Sequence, residues 1–187
     1  MMKHCGTQRL ETGRLILRRF ELEDARPMFE NWAKDPEVSR YTTWLPHESA
    51  EVTRALIADW IQRYEDPGYY NWVMALKANG EVIGNISVVR TDAEAEDCEL
   101  GYCMTRRLWG NGYMPEAARA VTGLLFEDVG AKRVLAKHDV DNPKSGRVMQ
   151  KLGMTCLGVR EGIFHGNRGP RDAVCYAVSR EEWRNRG

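Results

Sequence analysis

Short blocks of hydrophobic residues recur along the chain, and their spacing predicts a mixture of strands and helices. The blocks that favour strands lie at residues 14–20, 70–77, 82–90, 98–104, 133–138, 155–161 and 173–179. Apolar residues at helical spacing predict helices within residues 25–32, 52–64, 114–130 and 142–152. The resulting order, βααβββαβαββ, predicts an α/β (α+β) fold in which helices flank a twisted mixed sheet.

Turn and capping residues support two of these assignments. Asn79-Gly80, between the second and third predicted strands, is a strong hairpin signal. Asn142 stands at an N-cap position, Pro143 at the first helical position and Gly153 just past the end of the same helix. The sequence therefore predicts both ends of this short helix.

Length and charge narrow the possible functions. We expect one domain over residues 1–187, because 187 residues with 43% hydrophobic and 29% charged residues can bury a sizeable core. The 27 basic residues balance the 27 acidic ones, so the net charge is zero. This balance argues against a generally basic surface for nucleic acid or an anionic membrane, but it allows a local pocket for a small anion.

The chain lacks the sequence features of membrane, secreted and zinc-binding proteins. The longest apolar runs have five or six residues, too few for a membrane span, and the N-terminal residues form no apolar signal region. We therefore expect a cytoplasmic protein. The five cysteines include no Cys-x-x-Cys pair, so we expect no metal and no redox pair.

The most informative segment is a glycine-rich turn between a strand and a helix. Residues 107–117 read Arg-Leu-Trp-Gly-Asn-Gly-Tyr-Met-Pro-Glu-Ala. Unpaired N–H groups at a helix start, reached through small residues, can hold a phosphate. The segment lacks the Gly-Lys-Ser/Thr of a P-loop, and Pro115 replaces the third glycine of the Rossmann pattern. On the glycines alone, an ordinary tight turn is an equal alternative.

A second motif supports the phosphate interpretation. Asn142-x-x-Ser145 is followed by Lys-Leu-Gly-Met at residues 151–154. Together with Arg-x-x-Gly-x-Gly at 107–112, it resembles the GNAT superfamily of N-acetyltransferases over nearly the whole chain. The Trp-Gly-Asn-Gly-Tyr-Met-Pro-Glu-Ala run and Glu-Leu-Gly-Tyr at 99–102 look like the branch that contains the RimJ/RimL-type ribosomal-protein N-terminal acetyltransferases.

The resemblance implies acetyl-coenzyme A (acetyl-CoA) as the acetyl donor and a sheet splayed between the fourth and fifth predicted strands. The family binds pantetheine along the splayed strand, here at Cys103 and Met104, and carries an asparagine at the mouth of the gap, here Asn142. Its pyrophosphate site matches residues 108–114, namely Leu108, Trp109, Gly110, Asn111, Gly112, Tyr113 and Met114. Asn142 also reads as a plain helix cap.

The implied reaction is direct attack by a primary amine on the thioester. The departing thiolate then needs a proton or a hydrogen bond. Many family members use a tyrosine seven residues after the asparagine, but this chain has Met149 there. Ser145, three residues after Asn142, is the substitute donor and a cofactor-binding candidate, although a serine is also ordinary in a first helical turn.

Several groups could accept the proton that the amine loses. Glu99 is the first candidate because it lies on the strand that the resemblance assigns to pantetheine. Glu161 is the second, His138 the third, and a water chain could serve instead. For Glu99, the alternative is an edge glutamate within an acidic segment.

The sequence does not identify the acceptor amine. The branch resemblance suggests a protein N-terminal α-amine; an antibiotic or a polyamine is the small-molecule alternative, and a non-catalytic CoA-binding module is the third. The aromatic-bearing loop at residues 40–46 and Trp72 are candidates for acceptor contacts, and the alternative is that these aromatic residues simply cap the core. A monomer and a homodimer are both compatible with the sequence.

Overall fold

The computed structural model describes residues 1–185, which form an eight-stranded sheet in the order β1-β2-β3-β4-β5-β6-β8-β7. The strands are β1 (Leu10–Glu11), β2 (Leu15–Arg18), β3 (Asn71–Leu76), β4 (Val82–Asp92), β5 (Asp97–Met104), β6 (Arg133–Asp139), β7 (Thr155–Gly166) and β8 (Gly169–Ser179). β5 and β6 are parallel, whereas the other neighbouring strands are antiparallel. The sheet is therefore mixed, as the sequence predicts.

Helices cover both faces of the sheet. They are α1 (Ala25–Met28), α2 (Pro36–Ser39), α3 (Ala50–Arg63), α4 (Tyr113–Leu124), α5 (Pro143–Lys151) and α6 (Arg180–Arg184). α1 continues into a π-helical turn at Phe29–Ala33, and α4 into one at Leu125–Val129. None of the helices in residues 1–185 is long and apolar enough to cross a membrane.

Alternation along the strands divides the core into two layers. Trp72 and Met74 of β3 face the layer built with α4 and α5, and Val73 between them faces the layer built with α1 and α3. We call the first the α4 face and the second the α1 face. Trp72 is fully buried on the α4 face, with its indole N–H donating to the Gln8 carbonyl. For Trp72 the structure therefore supports the alternative that this aromatic residue belongs to the core, and not a contact with the acceptor.

The predicted order of elements is confirmed, with differences at the ends. Short β1, α2 and α6 are additional, and β7 and β8 extend to a hairpin at Gly166 and Gly169 rather than stopping at residues 161 and 173. Gly158 and Gly162 in β7 have positive φ, and the pairing with β8 is irregular beside both. These bulges interrupt the alternation from which a strand is recognised.

Candidate active site

The sheet opens between β5 and β6. Their parallel pairing ends at Leu100 and Ala136, but β5 runs on to Met104 while β6 runs on to Asp139 beside β8. Backbone groups at the end of β5 thus border a gap that an extended, amide-containing ligand could fill. The predicted splay is confirmed, and Cys103 and Met104 lie on its β5 side.

The glycine turn lies at the end of this opening. The helical turn Arg106–Leu108 leads to Gly110 and Gly112, with φ of 85° and 81°, and Gly112 is the N-cap residue of α4. A Cβ added to Gly110 would meet no atom within 4 Å. Open space, left-handed glycines and the dipole of a 12-residue helix fit a bound pyrophosphate.

Side chains of the turn point in different directions. Met114 is buried in the core of the α4 face, so only its backbone faces a phosphate site. The Trp109 indole N–H donates to the Met104 carbonyl at 3.0 Å, and Lys144 Nζ of α5 lies 4.7 Å from the Trp109 ring centre. Trp109 thus connects the turn with the end of β5 and with α5. Leu108 and Tyr113 are half-buried against the same core, whereas Asn111 lies in the exposed part of the turn.

Arg14 is a turn-positioning residue that sequence reasoning missed. It donates from Nη1 to the Asn111 carbonyl at 3.0 Å, and its guanidinium carbon lies 4.2 Å from the Tyr113 ring centre. Its backbone N–H and Nε donate to Glu116 of α4 at 2.8 and 2.6 Å, and Thr12 donates to the same carboxylate at 2.5 Å. Burial disfavours ionised Glu116, but these hydrogen bonds outweigh it and lower the pKa of the carboxyl.

The second motif folds as a capped helix at the mouth of the opening. Asn142 is the N-cap residue of α5, and its side chain accepts a hydrogen bond from the Ser145 N–H at 3.4 Å. The Ser145 Oγ lies 3.0 Å from the Tyr102 hydroxyl of β5. Met149 is buried in the core, and a thioether has no proton to donate. Ser145 is therefore the hydroxyl that the motif brings to β5.

The family assignment follows from the match over this region. Residues 14–155 fit the family model described as the acetyltransferase (GNAT) domain. The chain belongs to the GNAT acetyltransferases. Acetyl-CoA is accordingly the acetyl donor of this enzyme, and the residues of the opening and of the glycine turn fit it.

Relatives that match over most of the chain agree with the assignment. The GNAT chain is 32% identical over 178 residues to the uncharacterized N-acetyltransferase p20 of Bacillus licheniformis, covering 93% of this chain and 97% of the relative. It is 26% identical over 148 residues to the ribosomal-protein-serine acetyltransferase of Escherichia coli (strain K12), covering 75% and 82%. A solved acetyltransferase (GNAT family) from Bacillus anthracis has a TM-score of 0.81 at 25% identity, covering 94% of this chain and 100% of that one.

Glu99 lies on the α1 face of the sheet, within the paired part of β5. It stands opposite Leu135 of β6, one residue before the pairing ends. Its carboxylate accepts from Lys137 Nζ at 2.6 Å and from Arg90 Nε at 3.2 Å. Two cations therefore hold this carboxylate in the paired part of β5, next to the opening of the GNAT site.

The two reserve bases differ in their surroundings. Glu161 is exposed on β7, inside the irregular stretch between residues 160 and 164. His138 is buried, with Nδ1 2.7 Å from the Asp139 carbonyl and its ring stacked on Tyr176. A Cβ on Gly146 of α5 would lie 2.6 Å from the His138 Nε2, so α5 packs directly on this ring. These contacts indicate a packing role for His138.

A second set of contacts that sequence reasoning missed involves the loop at residues 40–46, which the sequence suggests for acceptor contacts. Asn167, in the β7–β8 turn, donates from Nδ2 to the Ser39 and Trp44 carbonyls at 2.8 and 2.7 Å. Its N–H donates to the Thr42 carbonyl at 2.9 Å. The loop at residues 40–46 is therefore fixed to the β7–β8 hairpin, at the end of the sheet where β5 and β6 diverge.

Proposed function

We propose that this acetyltransferase transfers an acetyl group from acetyl-CoA to the α-amine at the N-terminus of a protein or peptide. The observation that carries the transfer reaction is the opening between β5 and β6, with the glycine turn at one end and Ser145 at its mouth. The α-amine as acceptor is supported by the similarity to the E. coli ribosomal-protein-serine acetyltransferase and by the RimJ/RimL-like motifs.

In this proposal each part of the site has one task. The N–H groups of residues 108–114 bind the pyrophosphate, and the backbone of Cys103 and Met104 pairs with pantetheine. The amine loses its proton to Glu99, directly or through water, and its nitrogen then bonds to the acetyl carbon. The Ser145 hydroxyl donates a hydrogen bond to the sulfur as the carbon–sulfur bond breaks.

The protonated thiol of Cys103 favours direct attack by the amine over a mechanism in which the acetyl group is first transferred to this cysteine. This thiol donates to the Asn85 Oδ1 at 3.0 Å, and burial raises the pKa of Cys103 to about 12. A neutral thiol is a poor nucleophile, because the thiolate is the reactive form. The amine itself is therefore the attacking group in our scheme.

An acceptor panel tests the proposal. One peptide carries a free N-terminal serine and no lysine. Its matched control differs only in an acetylated N-terminus and one added lysine. Spermidine and an aminoglycoside represent small amines. We expect acetylation, measured by mass spectrometry, of the free-terminus peptide alone. Turnover of the small amines without the peptide would replace the proposed acceptor by a small molecule.

A further inference from the structure

The Tyr102 side chain crosses from β5 to α5 at the opening. Its backbone lies in the part of β5 that continues beyond the pairing with β6, and its hydroxyl reaches the first turn of α5. There it lies 3.1 Å from the Ser145 carbonyl and 3.0 Å from the Ser145 Oγ. One phenolic hydrogen thus has two acceptors on the same residue.

The two acceptors define two arrangements of the Ser145 hydrogen. If Tyr102 donates to the carbonyl, the Ser145 O–H can turn toward the phenolic oxygen and is then not available to another acceptor. If Tyr102 donates to the Ser145 Oγ, the serine hydrogen is free to point outward. A forming thiolate favours the second arrangement, because a hydrogen bond to an anion is stronger than one to a neutral oxygen.

We infer that Tyr102 is a positioning residue, whose hydroxyl donates to the Ser145 Oγ and so directs the Ser145 hydrogen toward the departing sulfur of acetyl-CoA. This inference rests on the proposed function of Ser145. The amine nitrogen bonds to the acetyl carbon, the electron pair of the carbon–sulfur bond leaves with the sulfur, and the proton given up by the amine reaches the thiolate through the base or water. Tyr102 supplies no proton in this step.

The surroundings of Tyr102 agree with a donor that keeps its proton. Burial raises the pKa of the Tyr102 phenol above its ordinary value. The phenol therefore stays protonated, and its hydrogen bond orients Ser145. Chained hydrogen bonds of this kind also strengthen one another in a low-dielectric site.

The test measures the acidity of the thiol of bound CoA, which is the product of the reaction, so it needs no acceptor amine. CoA is bound to the wild-type enzyme, and the acid dissociation constant of its thiol is titrated through the ultraviolet absorbance of the thiolate. Ser145→Ala should lower that constant by about tenfold, since a hydrogen bond to a charged group contributes about 1.5 kcal/mol or more. Tyr102→Phe should lower it by roughly three- to tenfold, because the ring stays while the donor is lost.

A double variant distinguishes a positioning role of Tyr102, which acts through Ser145, from a packing role. The double variant should match Ser145→Ala, because Tyr102 acts through the serine hydroxyl. Ser145→Thr, which keeps a hydroxyl, should restore most of the wild-type value. Tyr176→Phe is the matched control, since Tyr176 is buried in the same core and stacks on His138, and it should change nothing. Calorimetry of CoA binding verifies that each variant retains its site.

Each outcome has one interpretation. If Ser145→Ala lowers the constant and Tyr102→Phe leaves it unchanged, Ser145 keeps its role and the inference about Tyr102 is overturned. If both leave it unchanged in a CoA-bound enzyme, the proposed role of Ser145 fails, and the inference with it. If the wild type does not bind CoA, the proposed cofactor site fails. Should Tyr102→Phe bind CoA poorly, Tyr102→Met is titrated as a second side chain without a hydroxyl.

Discussion

Arg14 Nε lies 2.6 Å from Glu116 Oε2, although the two residues are 102 positions apart. This ion pair joins the start of β2 to the first turn of α4. Because Arg14 also donates to the Asn111 carbonyl, it holds the glycine turn from outside. The conformation of the turn that we propose as the pyrophosphate site thus involves a residue far from either sequence motif.

Removal of the Arg14 side chain should weaken acetyl-CoA binding without unfolding the protein. We expect Arg14→Ala to raise the Kd by roughly tenfold, equivalent to about 1.4 kcal/mol, because the turn must be ordered when the ligand binds. Calorimetry checks this value. Arg9→Ala, which removes an exposed pair with Glu11, is the control, and an equal effect of both would contradict the role of Arg14.

Asn167 should affect the binding of the acceptor and not the binding of acetyl-CoA. Its side chain fixes the loop at residues 40–46 to the β7–β8 hairpin, so Asn167→Ala should raise the KM of a peptide acceptor with a free N-terminus by about three- to thirtyfold through loss of preorganisation. The Kd of acetyl-CoA should stay unchanged. Asn79→Ala, in the β3–β4 turn, is the matched control. A change confined to acetyl-CoA affinity would place this loop on the donor side.

The identity of the base can be read from pH profiles. If Glu99 is the base, Glu99→Gln should remove or flatten the ascending limb of kcat/KM, and Glu161→Gln should retain it. Loss of the limb only in Glu161→Gln would transfer the role to Glu161. If neither change matters, the acceptor arrives neutral and positioning dominates.

The cysteines should differ in their reaction with iodoacetamide. Burial raises the pKa of Cys103 to about 12 and that of Cys98 to about 11, so both thiols stay neutral at pH 8 and thiolate forms only near those values. Cys156 is exposed. Mass spectrometry at pH 8 should find label on Cys156 before Cys98 and Cys103. Cys103→Ala should keep kcat within about threefold, and an acetyl group trapped on Cys103 would contradict direct attack.

Local patterns predicted most of the fold. The apolar spacing of α3 and the cap and glycine of α5 are properties of neighbouring residues, and both helices form where predicted. The prediction is incomplete in β7, where left-handed glycines at 158 and 162 break the alternation. It left Trp72 open between the core and the acceptor site, because alternation shows that neighbours face opposite sides and does not show which side faces which helix.

The candidate site could also be predicted only in part. The glycine turn and the Asn142–Ser145 cap lie within short segments, so the motifs located them. Tyr102 and Ser145 are 43 positions apart, and Asn167 and Ser39 are 128 apart. Only the folded sheet brings such pairs together, and no local signal encodes them.

The cofactor site is the central claim, and Gly112 tests it most directly. Both Gly112→Ala and Gly112→Glu place a side chain on a residue with φ of 81°, at a cost of about 1–2 kcal/mol in backbone strain, so both should lower Tm. Only Gly112→Glu adds a carboxylate to the turn at which we place the pyrophosphate. Calorimetry with acetyl-CoA should show at least about tenfold weaker binding for Gly112→Glu than for Gly112→Ala, from a charge repulsion that added salt reduces. Equal affinities in two folded variants would contradict a phosphate site at this turn.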